Sequence, residues 1–186
     1  MERSLAAECE ILLHICCAPC GVGCVERLLN AGRKVRLYYS NSNIATREEF
    51  DKRLEWVRWL AEKNRLVLEV DTYDHAAWLQ AVQGLEQEPE QGKRCQACFG
   101  WSLAQTAQRA RELGCTFTTT LTISPHKSSS ILFAVGKPYP HFEPIDFKKQ
   151  NGFLRGRQLA KEYGFYLQNF CGCEFSLRSC KPRPAQ

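Results

Sequence analysis

The chain has 186 residues, 44% of them apolar, and a net charge of +5. That is enough for one domain with its own core, and no apolar run approaches the ~20 residues of a membrane-spanning helix. The opening residues, MERSLAAECE, lack the apolar stretch of a secretion signal, which points to the cytoplasm, where eleven cysteines, an odd number, argue for metal binding or redox chemistry over disulfides.

Residues 10–15 (EILLHI) read as a buried strand. The next segment, APCGVGCVERLLNAG, opens with Pro19 and closes on Gly32, the punctuation of a short helix. Residues 34–40 read as a second strand and 40–43 (SNSN) as a turn. Residues 46–64 carry Phe50, Leu54, Val57, Leu60 and Ala61 near helical spacing, with Thr46 and Glu49 placed for a capping box. LVLEV (66–70) is a third strand, and a short helix precedes the polar loop 84–93. A helix over 95–112 ends at Gly114, followed by a fourth strand (115–123) and a loop and helix (124–136). A candidate fifth strand (141–147) and a last helix (154–164) complete the chain. Strands alternating with helices predict an α/β fold with a doubly wound, mostly parallel sheet in a single domain, residues 1–176, followed by a basic tail, 177–186. Ligands of such sheets bind at the carboxyl ends of the strands. His14-Ile-Cys16-Cys17-Ala-Pro-Cys20 lies at such an end, with thiols where a glycine-rich phosphate loop often sits.

The positive charge is concentrated. Residues 147–186 hold eight Lys/Arg and two acids, leaving 17 basic against 18 acidic residues before them. Aromatics are interleaved in that segment, a composition suited to phosphates and unstacked bases and equally to a solvated basic face.

Seven cysteines form three groups: Cys16, Cys17 and Cys20; Cys95 and Cys98; Cys171 and Cys173. Cys95 and Cys98 open a helix three residues apart and share a face. In Cys171-Gly172-Cys173, alternate residues of an extended chain share a face, and the glycine lets the backbone bend close to a cofactor. Adjacent side chains such as Cys16 and Cys17 diverge, which makes them poor partners for one metal and suits two neighbouring centres. Four thiolates would hold one iron–sulfur cluster and leave up to three for something beside it. A closed four-thiolate zinc site or a redox-active CxxC are the alternatives, and each strands several thiols. Cys9, Cys24, Cys115 and Cys180 read as inert buried cysteines.

The stretches LLHICCAPC (12–20), SNSNIATREEFDKRLE (40–55), GLEQEPEQGKRCQACF (84–99), FTTTLTISPHKS (117–128), DFKKQNGF (146–153) and YGFYLQNFCGC (163–173) resemble, in order, the QueH family of epoxyqueuosine reductases. Relatives usually have Pro at Ser42, a second Gly at Gln91, Arg near Ser102, Ser near Gly156, and Tyr-Arg-Gln where this chain has Tyr166-Leu167-Gln168. None of these departures touches the seven cysteines. The resemblance implies a Rossmann-like (nucleotide-hydrolase or HUP-like) fold and the last step of queuosine synthesis, reduction of epoxyqueuosine to queuosine at the tRNA wobble position. It implies a 4Fe-4S cluster with an additional mononuclear iron, no cobalamin, tRNA as partner and an unidentified electron donor.

From this the expected site follows. Cys17, Cys95, Cys98 and one of Cys171/Cys173, taken as Cys173, hold the cluster, while Cys16, Cys20 and Cys171 face the extra iron. Asp146, His14 and His126 are candidates for metal or proton work. His14 reads more readily as a hydrogen-bonded core residue, and Asp146 equally as a cap or a salt-bridge partner. Lys148, Lys149, Arg155 and Arg157 are candidates for tRNA phosphate and Tyr166 or Phe170 for base stacking, with Asn41, Asn43 and Arg53 facing substrate or shaping the loop. Two other readings remain. A cluster-dependent tRNA sulfur transferase would carry an ATP-binding SGGxDS loop where CCAPC stands. A zinc-stapled RNA-binding module would bind zinc and turn nothing over.

Overall fold

Residues 11–14 carry no polar alternation, as befits a strand covered on both faces. In the computed structural model, which describes residues 10–177, β1 (Ile11–His14) is wholly buried. It pairs in parallel with β2 (Val35–Tyr39) on one side and β4 (Thr116–Thr119) on the other. β3 (Leu68–Val70) extends the sheet beyond β2, giving the all-parallel order β3-β2-β1-β4. The Rossmann-like α/β expectation is met. The proposed basic tail and Cys9 and Cys180 lie outside the described residues.

Alternation along β1 sends side chains to two cores. Ile11 and Leu13 join the apolar cluster of α1 (Ala18–Asn30), α2 (Arg47–Lys63) and α6 (Gly152–Glu162). Leu12 meets Phe117 and, from α4 (Lys93–Leu113), Leu103 and Ala110. The smaller helices are α3 (His75–Ala81), α5 (Ser129–Gly136) and α7 (Glu174–Leu177). No helix among the described residues is long and apolar enough to cross a membrane.

Local signals account for several boundaries. Thr46 accepts the Glu49 N–H at 3.2 Å, but the Glu49 carboxylate turns to Arg53 instead of completing the box. Gly114 closes α4 in the left-handed conformation, φ +67°. The expected fourth strand stops at Thr119 and passes into a 3-10 turn, Thr120–Ile123. The expected fifth strand is not formed. Residues 141–143 lie against β4, with Phe117 N–H to the His141 carbonyl (3.0 Å) and Glu143 N–H to the Phe117 carbonyl (2.7 Å), but only one bridge forms, Phe117 to Phe142. Pro144 has no N–H to continue the ladder.

Two expectations arise from this packing. A Cβ on Gly23 of α1 would lie 3.1 Å from Gly156 Cα and 3.3 Å from the Gly152 carbonyl oxygen of α6. Gly23→Ala therefore costs about 1–3 kcal/mol by overpacking, read as a lower urea midpoint at unchanged slope. The Arg33 guanidinium forks onto Glu143 at 2.8 and 3.1 Å, tying the segment after β4 to the turn after α1. Arg33 holds the Glu143 carboxyl below its ordinary value against partial burial. A depressed carboxylate stabilises the fold above its unfolded pKa, and that stability is lost as pH falls through the folded value. The pair is partly exposed, so the contribution is about 1 kcal/mol or less. Urea midpoints at pH 7 and at pH 3 should converge slightly in Glu143→Gln.

Candidate metal centre

The CCAPC segment turns the carboxyl end of β1 into α1. Cys17 is extended (φ −171°, ψ 162°) and immediately precedes the helix, in whose first turn Pro19 is tolerated because the leading N–H groups are unpaired anyway. This turn swings adjacent side chains together. The sulfurs of Cys16, Cys17 and Cys20 all lie within 4.8 Å of one another, and Cys16 Sγ is 3.9 Å from Cys17 Sγ. Two sulfurs bound tetrahedrally to one metal at ~2.3 Å stand ~3.8 Å apart. The spacing thus suits a common metal, against the expectation that neighbouring side chains diverge. The three thiols share one ionisation. Hydrogen bonds from Cys17 and Cys20 hold Cys16 well below its ordinary value, while the bond with Cys16 pushes Cys17 up to about 12 and likewise raises Cys20. Thr120 also donates to Cys16 Sγ (3.4 Å), and the Gln168 amide donates to Cys17 Sγ (2.9 Å).

This trio borders a cavity of about 510 Å³ at the carboxyl ends of the strands, lined by Cys16, Cys20, Cys98, Cys171, Lys127 and Arg157 among others. The volume falls in the range of small-molecule sites. Cys98 and Cys171 also line a narrower pocket beside it, together with Cys95 and Cys173. The seven cysteines thus gather in one region. Cys16, Cys17 and Cys20 form one trio, Cys98 and Cys171 line both pockets, and Cys95 and Cys173 line the narrower one. Cys24 is buried, its thiol donating to the Cys20 carbonyl. Cys115 is buried in the second core.

The Cys171-Gly172-Cys173 turn is held from α2. Arg53, 3% exposed, donates to the carbonyls of Cys171 (2.9 Å) and Phe170 (3.4 Å) while its Nε pairs with Glu49 at 2.7 Å. Asn43 lines both pockets, and Asn41 is committed to the Ile15 carbonyl at 3.0 Å. On the other side, Gln91 has a positive φ of 71°, a conformation in which glycine is easier, and its N–H donates to Cys95 Sγ at 3.2 Å.

The remaining expected residues separate. His14 lines the cavity, but its Nε2 donates to the Ser40 carbonyl (3.1 Å) and its Nδ1 accepts the Thr119 hydroxyl (2.9 Å). Burial lowers its pKa and keeps it neutral. His126 is exposed at the cavity wall. Asp146 is not among the lining residues. Its Oδ1 accepts the Lys148 N–H at 3.1 Å and lies 3.7 Å from the Lys148 ammonium. That ammonium turns inward onto the carbonyls of Thr122 (2.6 Å) and Lys127 (3.1 Å) and the Ser129 hydroxyl (2.7 Å). Arg155 forks onto Glu26 at 2.6 and 2.8 Å. Lys149 and Arg157 are exposed, and Arg157 lines the cavity. Tyr166 donates to Glu49 (3.2 Å) beneath the Lys52 ammonium, 3.9 Å from its ring centre. Phe170 lines the cavity under the Arg53 guanidinium.

Sequence reasoning passed over Lys127, which lines both pockets. The neighbouring thiols, Cys171 foremost, hold its ammonium charged against burial. A lone lysine in SPHKS carries no signal that would mark it beforehand. The donor set, seven soft thiols around two adjoining pockets, has enough ligands for a four-thiolate iron–sulfur cluster with a three-thiolate metal beside it.

Comparison with known proteins identifies similar chains. The family model described as epoxyqueuosine reductase QueH matches residues 11–179. The epoxyqueuosine reductase QueH of Streptococcus pyogenes serotype M1 is 39% identical over 182 residues, covering 91% of this chain and 71% of that protein. The protein of the same name from Acinetobacter baylyi is 34% identical over 176 residues, covering 91% and 81%. That from Thermotoga maritima is 32% identical over 185 residues, covering 95% and 94%.

Proposed function

The chain belongs to the epoxyqueuosine reductase QueH family, and from that premise we propose that it converts epoxyqueuosine to queuosine in cytoplasmic tRNA without cobalamin, the modified base entering the cavity beside Cys16 and Cys20. The reaction balances as epoxide plus two electrons plus two protons giving alkene plus water. The observation that carries this reading is the gathering of Cys16, Cys17 and Cys20 at the wall of a nucleoside-sized cavity that adjoins the pocket of Cys95, Cys98, Cys171 and Cys173.

Cys95, Cys98, Cys171 and Cys173 would hold a 4Fe-4S cluster, and Cys16, Cys17 and Cys20 a single iron. When bound, these groups supply electrons one at a time, from an external donor, and a Lewis acid for the epoxide oxygen. The chain's own residues do the rest. Gln168 fixes the Cys17 sulfur and Arg53 the Cys171 carbonyl. The Lys127 ammonium balances thiolate charge at the junction of the two pockets. His14, engaged at both nitrogens, ties the ends of β1, β2 and β4 into a rigid floor, while exposed His126 is the candidate to bring protons to the leaving oxygen. Exposed Arg157 and Lys149 offer cations to tRNA phosphate, and Phe170 offers a face for an unstacked base.

The test is iron, zinc and acid-labile sulfide content of protein reconstituted without oxygen, followed by turnover of tRNA carrying epoxyqueuosine. About four sulfides per chain, one more iron than sulfide, and queuosine formation are expected. Stoichiometric zinc with no sulfide and no turnover would overturn the reading in favour of a zinc-stapled RNA-binding protein.

A further inference from the structure

Around the four-cysteine pocket, two buried side-chain N–H groups have no hydrogen-bond partner among the described residues. Trp78 of α3 is fully buried, and its indole Nε1 has no hydrogen-bond partner among the described residues. It lines the pocket with the four cysteines and packs with Cys98, Cys173 and Phe175. The ring is held in place. His75 stacks on it at 5.4 Å between centres, and His75 is itself fixed by the Ser42 carbonyl (2.8 Å) and Glu174 (3.2 Å). Buried polar groups are nearly always satisfied, so a rigid orphan donor points to an acceptor that belongs beside it.

Arg94 of α4 repeats the pattern with a full charge. It is 4% exposed and lines the same pocket. Its Nη1 donates to the carbonyls of Leu85, Glu86 and Glu88, its plane lies over Phe175, and its Nε has no partner. Carbonyls solvate a guanidinium but do not neutralise it, and among the described residues no carboxylate pairs with Arg94. A buried cation without a counter-ion calls for an anion. Cys95 and Cys173, whose thiolates would carry negative charge, line the same pocket.

We propose that Trp78 and Arg94 are positioning residues that raise the reduction potential of the metal centre held by Cys95, Cys98, Cys171 and Cys173. The proposal rests on the reading of that group as an iron–sulfur site. Reduction adds negative charge to an anionic centre, and N–H dipoles and a guanidinium aimed at it stabilise the reduced state more than the oxidised one.

The experiment compares the wild type with Trp78→Phe and Arg94→Gln after anaerobic reconstitution, measuring sulfide content and the midpoint potential by redox titration followed by electron paramagnetic resonance. Trp78→Phe keeps the ring and removes only the donor. With sulfide retained, its midpoint should fall by at least 59 mV, a tenfold change in a one-electron equilibrium, and that of Arg94→Gln at least as far. A fully loaded Trp78→Phe with the wild-type midpoint would overturn the proposal. The wild type itself gives a second test that no folding defect can confuse. With tryptophan labelled in the indole ¹⁵N, pulsed resonance of the reduced protein should show ¹⁵N coupling that survives in Trp101→Phe, Trp101 of α4 being another tryptophan packed against this group. Its absence would equally overturn the proposal. Wild type that loads no sulfide at all would overturn instead the iron–sulfur reading beneath it.

Discussion

Serine at any one of Cys95, Cys98, Cys171 or Cys173 should strip inorganic sulfide from the reconstituted protein, whereas serine at Cys16, Cys17 or Cys20 should leave sulfide near the wild-type content and abolish turnover. The argument is geometric. Cys98 and Cys171 face the cavity and the narrower pocket alike, with Cys95 and Cys173 behind them, and four thiolates complete a cubane's ligand set. Cys16, Cys17 and Cys20 form a separate trio within 4.8 Å, and their shared ionisation marks a site that gains stability when a cation takes all three sulfurs. Losing a residue that merely orients a metal ligand costs 10–100-fold, so losing a ligand of the trio should cost at least about a hundredfold in turnover. The decisive comparison is Cys17→Ser against Cys171→Ser. Sulfide lost from the first and kept by the second would restore the division expected from sequence, with Cys17 on the cluster.

The site also shows where sequence reading stops. The β1 strand, the helix opened by Pro19 and the parallel order were legible because apolar runs, proline and glycine act locally. So was the convergence of the three cysteine groups at the carboxyl ends of the strands. The close approach of the Cys16 and Cys17 sulfurs was not, because it depends on one extended residue at the entry to α1 that folds neighbouring sulfurs to 3.9 Å. The fifth strand failed on Pro144, a residue visible in the sequence whose missing N–H outweighed a strand-like pattern. Among the cations, composition counted Lys148 and Arg155 as available to phosphate, but charge counting cannot see that one is turned onto loop carbonyls and the other paired with Glu26. Trp78 lies outside the family-like stretches, and Arg94 lies within one, 84–99, where only the cysteines stood out. Their meaning arises only when α3 and α4 bring an orphan indole and an unpaired guanidinium to the same four thiols.

Arg53→Met and Gly172→Ala should each cost the protein its hold on metal without touching a cysteine. Gly172 has φ +141°, and a Cβ there would stand 3.3 Å from Arg53 Nη1, Asn43 Nδ2 and Ile44 Cγ1 alike. Its carbonyl accepts the Ala45 N–H at 3.0 Å. An alanine in such a conformation is strained by about 1–3 kcal/mol, and relief means moving the turn that spaces Cys171 from Cys173. Arg53→Met leaves the Glu49 carboxylate, only 14% exposed, with the Tyr166 hydroxyl but without its guanidinium, and strands the carbonyls of Phe170 and Cys171. Breaking a buried pair in this way costs about 3–5 kcal/mol. Arg53→Lys should fall between, since an ammonium cannot span a carboxylate and two carbonyls as a planar fork does. Urea midpoints of the metal-free proteins measure the structural loss, and the rate of iron release to a chelator measures the hold on metal. If the clamp serves the site, iron release in Gly172→Ala should accelerate even where its metal-free midpoint falls least. Release rates that merely follow the midpoints across the three variants would make Arg53 a stabiliser of the fold with no separate part in presenting Cys171 and Cys173.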